Sequence, residues 1–497
     1  MKEKSQVLYI GVDLGTSSIK TLLMDEQGNV LKIAIAEYPV YYPQIGWAEQ
    51  NPADWYAAFI RAVQELLADQ DNSAVAGISF SGQMHGMVIL DEHDEVIRPA
   101  ILWNDSRALA ECDYLNETIG QDKISAYTGN MALVGFTAPK ILWLKEHEPE
   151  NYAKIKKLML PKDYLLYRLT GEFVSDVSDA AGTLLFDVKN KQWSREMLEI
   201  VGLDDTQVPH VYESYEVVGT VESAASAVTG LSTEVRVVAG GGDQAVASVG
   251  TGTVEHGMCN VSLGTSGVVF VPIDEYEDIA DNVLHVFNHA NGKYFFMGVT
   301  LAAAASNEWW MKSILQTKEY DSEQADYGKL GENDVYFLPY LSGERTPYNN
   351  ADARGTFIGM TVGTSRLDMT AAVLEGVAFS LRDILEIIRA KGVAVDTIRI
   401  NGGGAKSDLW CQIIANVFDV EVVRTNSTEG PAFGAAILAA VACGAFASIE
   451  EATSKLIRVT ETISQDAEIV EKYDKRYEIY HSLYPTLEEI FTKLSKR

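Results

Sequence analysis

A turn that occurs twice narrows the possible folds more than any other feature of the sequence. Residues Leu8 to Lys20 read LYIGVDLGTSSIK, and residues Cys259 to Phe270 read CNVSLGTSGVVF. Each has a β-rich approach, a Gly-Thr-Ser turn and a return to an apolar run, the pattern of a hairpin. Glycine admits close backbone approach. The hydroxyls of Thr16, Ser17 and Ser18, or of Thr265 and Ser266, join consecutive backbone N–H groups in a concavity suited to an anionic oxygen. One such turn is compatible with an ordinary Gly/Ser hairpin. Two of them, about half a chain apart, predict two related domains that each offer a phosphate hairpin to one ligand between them. Asp13 in the first copy stands where Ser262 stands in the second. Only the first copy can therefore give a carboxylate to a divalent cation, which is commonly held by carboxylate plus phosphate.

A chain of 497 residues has room for two or three cores. The expected units are 1–252 and 253–497, divided near Gly252 just ahead of the second hairpin. No apolar run approaches the length of a membrane span. The first residues lead into a strand without a signal-peptide core, so a cytoplasmic location is expected. Cys112, Cys259, Cys411 and Cys443 are scattered and lack C-x-x-C spacing, which indicates buried thiols rather than disulfides or a zinc site. A formal net charge of -30 argues against nucleic acid and against an anionic membrane as partners. A bound nucleotide would then depend on metal and backbone dipoles, which the hairpins can supply.

The first half carries four further polar clusters. The strand Val75 to Phe80 runs into Ser81-Gly82-Gln83-Met84-His85-Gly86, where His85 reads either as a satisfied core residue or as a ligand-facing one. Asn104-Asp105-Ser106-Arg107 suits a polyhydroxylated ligand, because each hydroxyl both donates and accepts, and suits equally a helix N-cap with a surface ion pair. Ser175 to Thr183 is small and polar and is expected as a loop, facing a ligand or solvent. Gly240-Gly241-Gly242-Asp243-Gln244 follows the strand Val235 to Val238 and precedes a helical run. Three glycines clear the approach to the Asp243 carboxylate. Phosphoryl transfer to an alcohol needs a group that orients the hydroxyl and accepts its proton, so Asp243 is the leading candidate for a general base. An N-cap role is compatible with that chemistry.

The second half repeats the order of the first. After its hairpin come a strand at Leu284 to Phe287, a helix with Trp309 and Trp310, and a loop in which Glu344 and Arg345 could tie two segments together. A helix is expected from Met369 to Ala390. The strand Thr397 to Ile400 then feeds Asn401-Gly402-Gly403-Gly404-Ala405-Lys406-Ser407, a glycine turn opening a helix and hence a nucleotide-binding arrangement. The dinucleotide fingerprint fails because Ser407 holds the place of its last glycine, and no P-loop is present. From Ile449 onward the chain is expected to be helical, with Tyr473, Tyr477, Tyr480 and Tyr484 as a packing stripe.

With these residues in place, the chain from about Tyr9 to about Tyr484 resembles the carbohydrate kinases of the FGGY family. The likeness rests on the Asp13 hairpin, Gly135-Phe136-Thr137-Ala138-Pro139-Lys140, the Asp243 turn, the GTFIGM and DMTAAVLE segments between Gly355 and Glu375, and the Gly402 turn. It implies an α/β fold of two actin-like (ribonuclease H-like, hexokinase/Hsp70-type ATPase) domains with a cleft between them. The first domain would carry the sugar and the base, and the second the nucleotide. Ser81 to Gly86, Trp103-Asn104-Asp105 and Ser178 to Thr183 resemble the members that act on D-xylulose, implying ATP-dependent phosphorylation of its 5-hydroxyl.

By this resemblance Asp243 is the general base and Met84, His85, Asp105 and Gln244 serve the sugar, with Lys162 near the cleft. Asp13 orients Mg²⁺, Thr16, Ser17 and Thr265 face the phosphates, and Gly403, Gly404 and Ser407 border the adenosine. Many members have Asn after the catalytic Asp, whereas this chain has Gln244, whose extra methylene bears on the identity of the sugar. A kinase for gluconate, ribulose or glycerol is the neighbouring reading, and an actin-like ATP switch the more distant one. The implied partners are the sugar and ATP, with a homodimer as an open possibility.

Overall fold

The computed structural model describes residues 7–279, 283–324, 328–427 and 429–495. The first hairpin forms from Leu8–Leu14 (β1) and Ser18–Asp25 (β2), paired antiparallel from Leu8↔Asp25 to Leu14↔Ile19. Val30–Glu37 (β3) adds to the far edge of β2. Val75–Gly82 (β4) lies parallel to β1 on the other side, and Arg236–Val238 (β6) lies parallel to β4. Val217–Thr220 (β5) is an antiparallel edge beside β6, and the short Gly241–Gly242 (β7) runs along the end of β4. The path through this sheet is β5-β6-β4-β1-β2-β3.

The second sheet contains Met258–Leu263 (β8), Gly267–Ile273 (β9), His285–Asn288 (β10), Tyr294–Thr300 (β11), Thr397–Asn401 (β12), Glu421–Thr425 (β13) and Val459–Ile463 (β14). Its order is β10-β11-β9-β8-β12-β13-β14. The run β3-β2-β1-β4-β6 thus recurs as β11-β9-β8-β12-β13: an antiparallel meander, then two parallel strands. This repeated order makes the two domains related, as the duplicated turn predicts, and is the actin-like, ribonuclease H-like arrangement that the family resemblance implies.

Helices cover both sheets. Pro52–Leu67 (α1) lies over β2 and β3 and buries Trp55, Phe59, Val63 and Leu66 in one core with Ile10, Ile19 and Leu23. Thr137–His147 (α2), Pro161–Thr170 (α3) and Val177–Ala181 (α4) lie in the long connection before β5. Asp243–Thr251 (α5) follows β7 directly. Arg366–Ala390 (α6), Asp408–Phe418 (α7) and Ala467–Ser495 (α9) accompany the second sheet, where the expected stripe forms: buried Tyr473 and Tyr480 and half-buried Tyr477 pack on Phe379, and Tyr484 is buried against Tyr340 and Tyr348.

Gly430–Ala442 (α8) behaves differently. Its small residues share a core with Tyr9, Leu22 and Met24 of the first sheet and with Val246 and Val249 of α5. The α5–α8 crossing is a backbone contact. A Cβ on Gly250 would lie 1.9 Å from the Gly430 carbonyl oxygen, and one on Gly434 would lie 2.0 Å from that of Val246.

Two expectations are corrected. Val459–Ile463 is not helical but an edge strand on β13, with Ile463 opposite Val422. Its β-branched Val459, Thr460, Thr462 and Ile463 suit a pleated edge once a sheet is there to receive them. Ser175 to Thr183 is not an exposed loop either. It is a strand end and α4, with Ser175, Asp176, Ser178 and Asp179 fully buried. Its polarity serves partners inside the protein.

Candidate active site

Parallel strands in such sheets deliver their ligand-facing residues beyond their carboxyl ends. In the first sheet, Asp13 of β1 is level with Ser81 of β4, and Ser81 is level with Gly241 of β7. One step further on, Met84 and His85 leave β4 and Asp243 opens α5. Asp13 and Asp243 are both half-buried. Burial pushes Asp13 up to about 6, opposed by Ser81 and by the charge of Lys20. Burial and the facing charge of Asp13 push Asp243 up to about 7, opposed by hydrogen bonding from the Gln244 backbone and side chain. Gln244 thus acts on the base itself. Lys20 is held 2.8 Å from Glu429. Two mutually repelling carboxylates offer the oxygen ligands that suit a hard divalent cation.

The glycines before Asp243 have distinct reasons. Gly240 has φ +69, and a Cβ there would lie 1.9 Å from the Phe80 carbonyl oxygen. A Cβ on Gly242 would lie 3.0 Å from Met84 Cε. Met84 is buried between Gly242 and Gly182, for a Cβ on Gly182 would lie 2.8 Å from both Met84 Cε and His85 Nδ1. His85 has φ 67 and its Nδ1 lies 2.6 Å from the Gly182 carbonyl oxygen. Burial holds His85 down to about 3, so the ring is neutral. A carbonyl only accepts, so the proton is on Nδ1 and Nε2 is left as an acceptor. Lys140 and Thr137 of α2 fix the His85 carbonyl at 2.9 and 3.1 Å.

Several expected contacts are corrected. Asp105 is buried, and both of its oxygens are taken inside the protein. They accept from Arg107 N and Nε at 2.9 Å, from Arg107 Nη2 at 2.7 Å and from Ala48 N at 2.6 Å. Asp105 therefore holds a turn whose exposed groups are Trp103, Asn104 and Ser106. Lys162 is fully buried, 2.7 Å from Asp163, 2.8 Å from Asp176 and 3.9 Å from Asp179, so it lies behind the cleft surface. That cluster touches the base turn through Ser178 Oγ, which accepts from Gly242 N at 3.1 Å.

On the phosphate side, the Thr16 carbonyl accepts from Gln50 Nε2 at 2.7 Å, and Gln50 Oε1 accepts from Trp55 and from Gln83. A buried amide thus ties the first hairpin to the end of β4. Thr16 Oγ1 accepts from Trp103 Nε1 at 3.1 Å, and Ser17 is exposed. In the second domain Thr265 is exposed, and the Gly402 turn lies directly on the hairpin, a Cβ on Gly402 falling 2.7 Å from the Leu263 carbonyl. Gly403 is open to solvent. Gly404 is packed on Trp410 and Leu263, and Ser407 caps α7 by accepting from Trp410 N while donating to Gln324. Packing and capping therefore occupy Gly404 and Ser407 and leave Gly403 as the open position.

The Glu344–Arg345 tie is also corrected. Glu344 accepts from Thr300 Oγ1 at 2.5 Å, Leu301 N at 3.0 Å, Arg345 N at 2.7 Å and Ser380 Oγ at 3.2 Å, so its side chain turns inward. The Arg345 guanidinium feels the charge of Glu344 but makes no salt bridge with it. Adjacent acid and base in one loop read as an ion pair, and only the partners of Glu344, far off in sequence, reveal otherwise.

Comparison with known proteins places this geometry. Residues 8–250 match the N-terminal domain of the FGGY family of carbohydrate kinases and residues 259–443 match its C-terminal domain. A xylulose kinase of Bacillus subtilis is 39% identical over 490 residues, covering 98% of each chain. One of Escherichia coli is 40% identical over 486 residues, covering 97% of this chain and 99% of its own. The structure of a ligand-bound xylulose kinase from Lactobacillus acidophilus superposes with a TM-score of 0.94 at 26% identity, covering 98% of this chain and 99% of that one. Among the described residues no helix is long and apolar enough to cross a membrane. With both domains matched and relatives aligned nearly end to end, the chain belongs to the FGGY family of carbohydrate kinases, two-domain enzymes of the actin-like fold that phosphorylate a carbohydrate with ATP.

Proposed function

We propose that the protein transfers the γ-phosphoryl group of ATP to the 5-hydroxyl of D-xylulose, giving D-xylulose 5-phosphate and ADP. The reading is carried by the convergence of Asp13, Met84–His85 and Asp243 on the ends of three adjacent strands, in a family whose aligned relatives are xylulose kinases. Asp243, raised to about 7, is near half-ionised at neutral pH and matched to taking a proton from an alcohol as it attacks. The hydroxyl oxygen forms the new bond to the γ-phosphorus, the bond to the β-γ bridging oxygen breaks, and the proton passes to Asp243. The hydroxyls and N–H groups of the Thr16-Ser17 and Thr265 turns take the phosphate oxygens. Asp13 would hold Mg²⁺, which when bound neutralises charge on the phosphates. His85 Nε2 accepts from a sugar hydroxyl, and Met84 supplies the apolar wall against Gly242.

In this reading residues 1–252 bind sugar and carry the base, residues 253–497 bind the nucleotide with Gly403 at the rim, and the enzyme works in the cytoplasm. Closure of the cleft keeps water from competing for the phosphoryl group. Sedimentation of the purified chain tests the homodimer. The function is tested by ADP release with Mg·ATP against D-xylulose, D-ribulose, L-ribulose, gluconate, glycerol and no sugar. D-xylulose should give the highest kcat/KM. Preference for another acceptor would move the assignment to that sugar and implicate Gln244, and turnover indifferent to sugar would revive the ATP-switch reading. Asp243→Ala should abolish transfer while ATP binding, followed by calorimetry, is retained. Loss of nucleotide binding instead would show that the role of Asp243 is misassigned.

A further inference from the structure

Arg345 is a cation that feels the charge of the neighbouring Glu344 but is not bonded to it. Its side chain is half-buried, and among the described residues its guanidinium makes no hydrogen bond, ion pair or ring contact. The adjacent Glu344 carboxylate is occupied by Thr300, Leu301, Ser380 and the Arg345 backbone. Holding a guanidinium partly out of water without hydrogen-bond partners is costly, and burial lowers its pKa more than the charge of Glu344 raises it. Such a group is expected where a ligand completes it.

The backbone shows where it points from. Thr346 N donates to the Val299 carbonyl at 3.0 Å, and Val299 N donates to Thr346 Oγ1 at 3.1 Å. Val299 lies on β11 two residues beyond Met297, which faces His285 of β10. Thr346 Oγ1 also lies 3.5 Å from the Val283 carbonyl oxygen. Arg345 therefore emerges at the head of β10, beside His285. The His285 ring lies 5.8 Å from that of Phe136, which lies 4.7 Å from that of His85. This row of rings crosses from the second domain into the sugar pocket of the first. The Arg345 charge reaches along it, depressing the pKa of both histidines. The row of rings joins the place where Arg345 emerges to the His85 end of the cleft.

We propose that Arg345 is a sugar-binding residue supplied by the second domain, donating N–H hydrogen bonds to the ketose oxygens remote from the hydroxyl that is phosphorylated. The inference rests on the sugar-kinase reading above. A guanidinium only donates and the neutral His85 Nε2 only accepts, so the pair holds a polyhydroxylated carbonyl compound from two sides. A sugar touching both residues is bonded to both domains and favours the closed cleft.

The test compares wild type, Arg345→Ala and Arg345→Lys in steady state with Mg·ATP and D-xylulose. Arg345→Ala should raise the sugar KM by about 10- to 100-fold, the worth of a charge-assisted hydrogen bond, and leave the ATP KM within about twofold. Added guanidinium chloride should restore the sugar KM of Arg345→Ala, and Arg345→Lys should fall between the two. The melting temperature of ligand-free Arg345→Ala should equal or exceed that of wild type, because a half-buried guanidinium without hydrogen-bond partners has been removed. An unchanged sugar KM, an equal rise in both KM values, or a lowered melting temperature without guanidinium rescue would overturn the proposal. If wild type turns over with another sugar and not with D-xylulose, the substrate assignment falls. The same KM comparison on that sugar then decides Arg345 separately.

Discussion

Replacing Lys162 by Met removes one charge from a fully buried ionic cluster of the first domain while nearly preserving volume. A single ammonium there faces Asp163, Asp176 and Asp179, and all four residues are fully buried. Asp176 has support of its own, since its Oδ2 accepts from Ser178 N, Ser178 Oγ and Ser214 Oγ. Asp179 has none: both of its oxygens are buried without a hydrogen-bond partner, and burial raises its pKa, as it does that of Asp163. Stranding one partner of a buried ion pair costs about 3–5 kcal/mol. The native variant should therefore take up about one proton more on folding than wild type does. An acid whose native pKa is raised stabilises the fold fully below its unfolded pKa, and that contribution is lost as pH rises through the native value. With one extra proton the slope is about 1.4 kcal/mol per pH unit, so the deficit should grow by about 3.4 kcal/mol between about pH 5.5 and about pH 8. Urea unfolding of wild type and variant at both pH values, followed by tryptophan fluorescence, measures this directly. A variant as stable as wild type, or a deficit that ignores pH, would refute the view that Lys162 neutralises this cluster.

Two further outcomes follow from the base and the helix crossing. With Asp243 raised to about 7, log kcat/KM for the sugar should climb with pH below about 7 and level off above it as the carboxylate becomes free to accept a proton. A flat profile from about pH 5 to about pH 8, measured with saturating Mg·ATP, would remove Asp243 from that role. Gly434→Ala should destabilise the enzyme by about 1–3 kcal/mol, because its Cβ would lie 2.0 Å from the Val246 carbonyl oxygen and force two backbones apart. An unchanged melting temperature would show that the α5–α8 crossing yields more readily than its geometry suggests.

What could be read from the sequence was local chemistry set by short spacing. The hairpins at Asp13 and Thr265 and the glycines before Asp243 carry their reasons within a few residues, because a turn and a strand end are local objects. The purpose of buried polar groups was less legible. Asp105 offers the same letters whether it faces a sugar or Arg107, and Ser407 whether it faces adenosine or Trp410 N. Ser175 to Thr183 looked like a loop because its polarity is answered by Lys162 and Ser214, which only the fold brings near. Arg345 was hidden for the same reason, since its neighbour in sequence is claimed by Thr300 and Ser380. Val459–Ile463 needed the edge of β13 to declare itself a strand.

Helix α8 is encoded in the C-terminal half of the chain yet completes a wall of the first sheet. A fragment ending near residue 252 would leave Tyr9, Leu22 and Met24 without the small-residue helix that covers them. The two halves are therefore tied in inheritance as well as in space. A chimaera joining the front of one relative to the back of another at this border must preserve the fit of Gly250 to Gly430 and of Gly434 to Val246 before its substrate preference can be asked about at all.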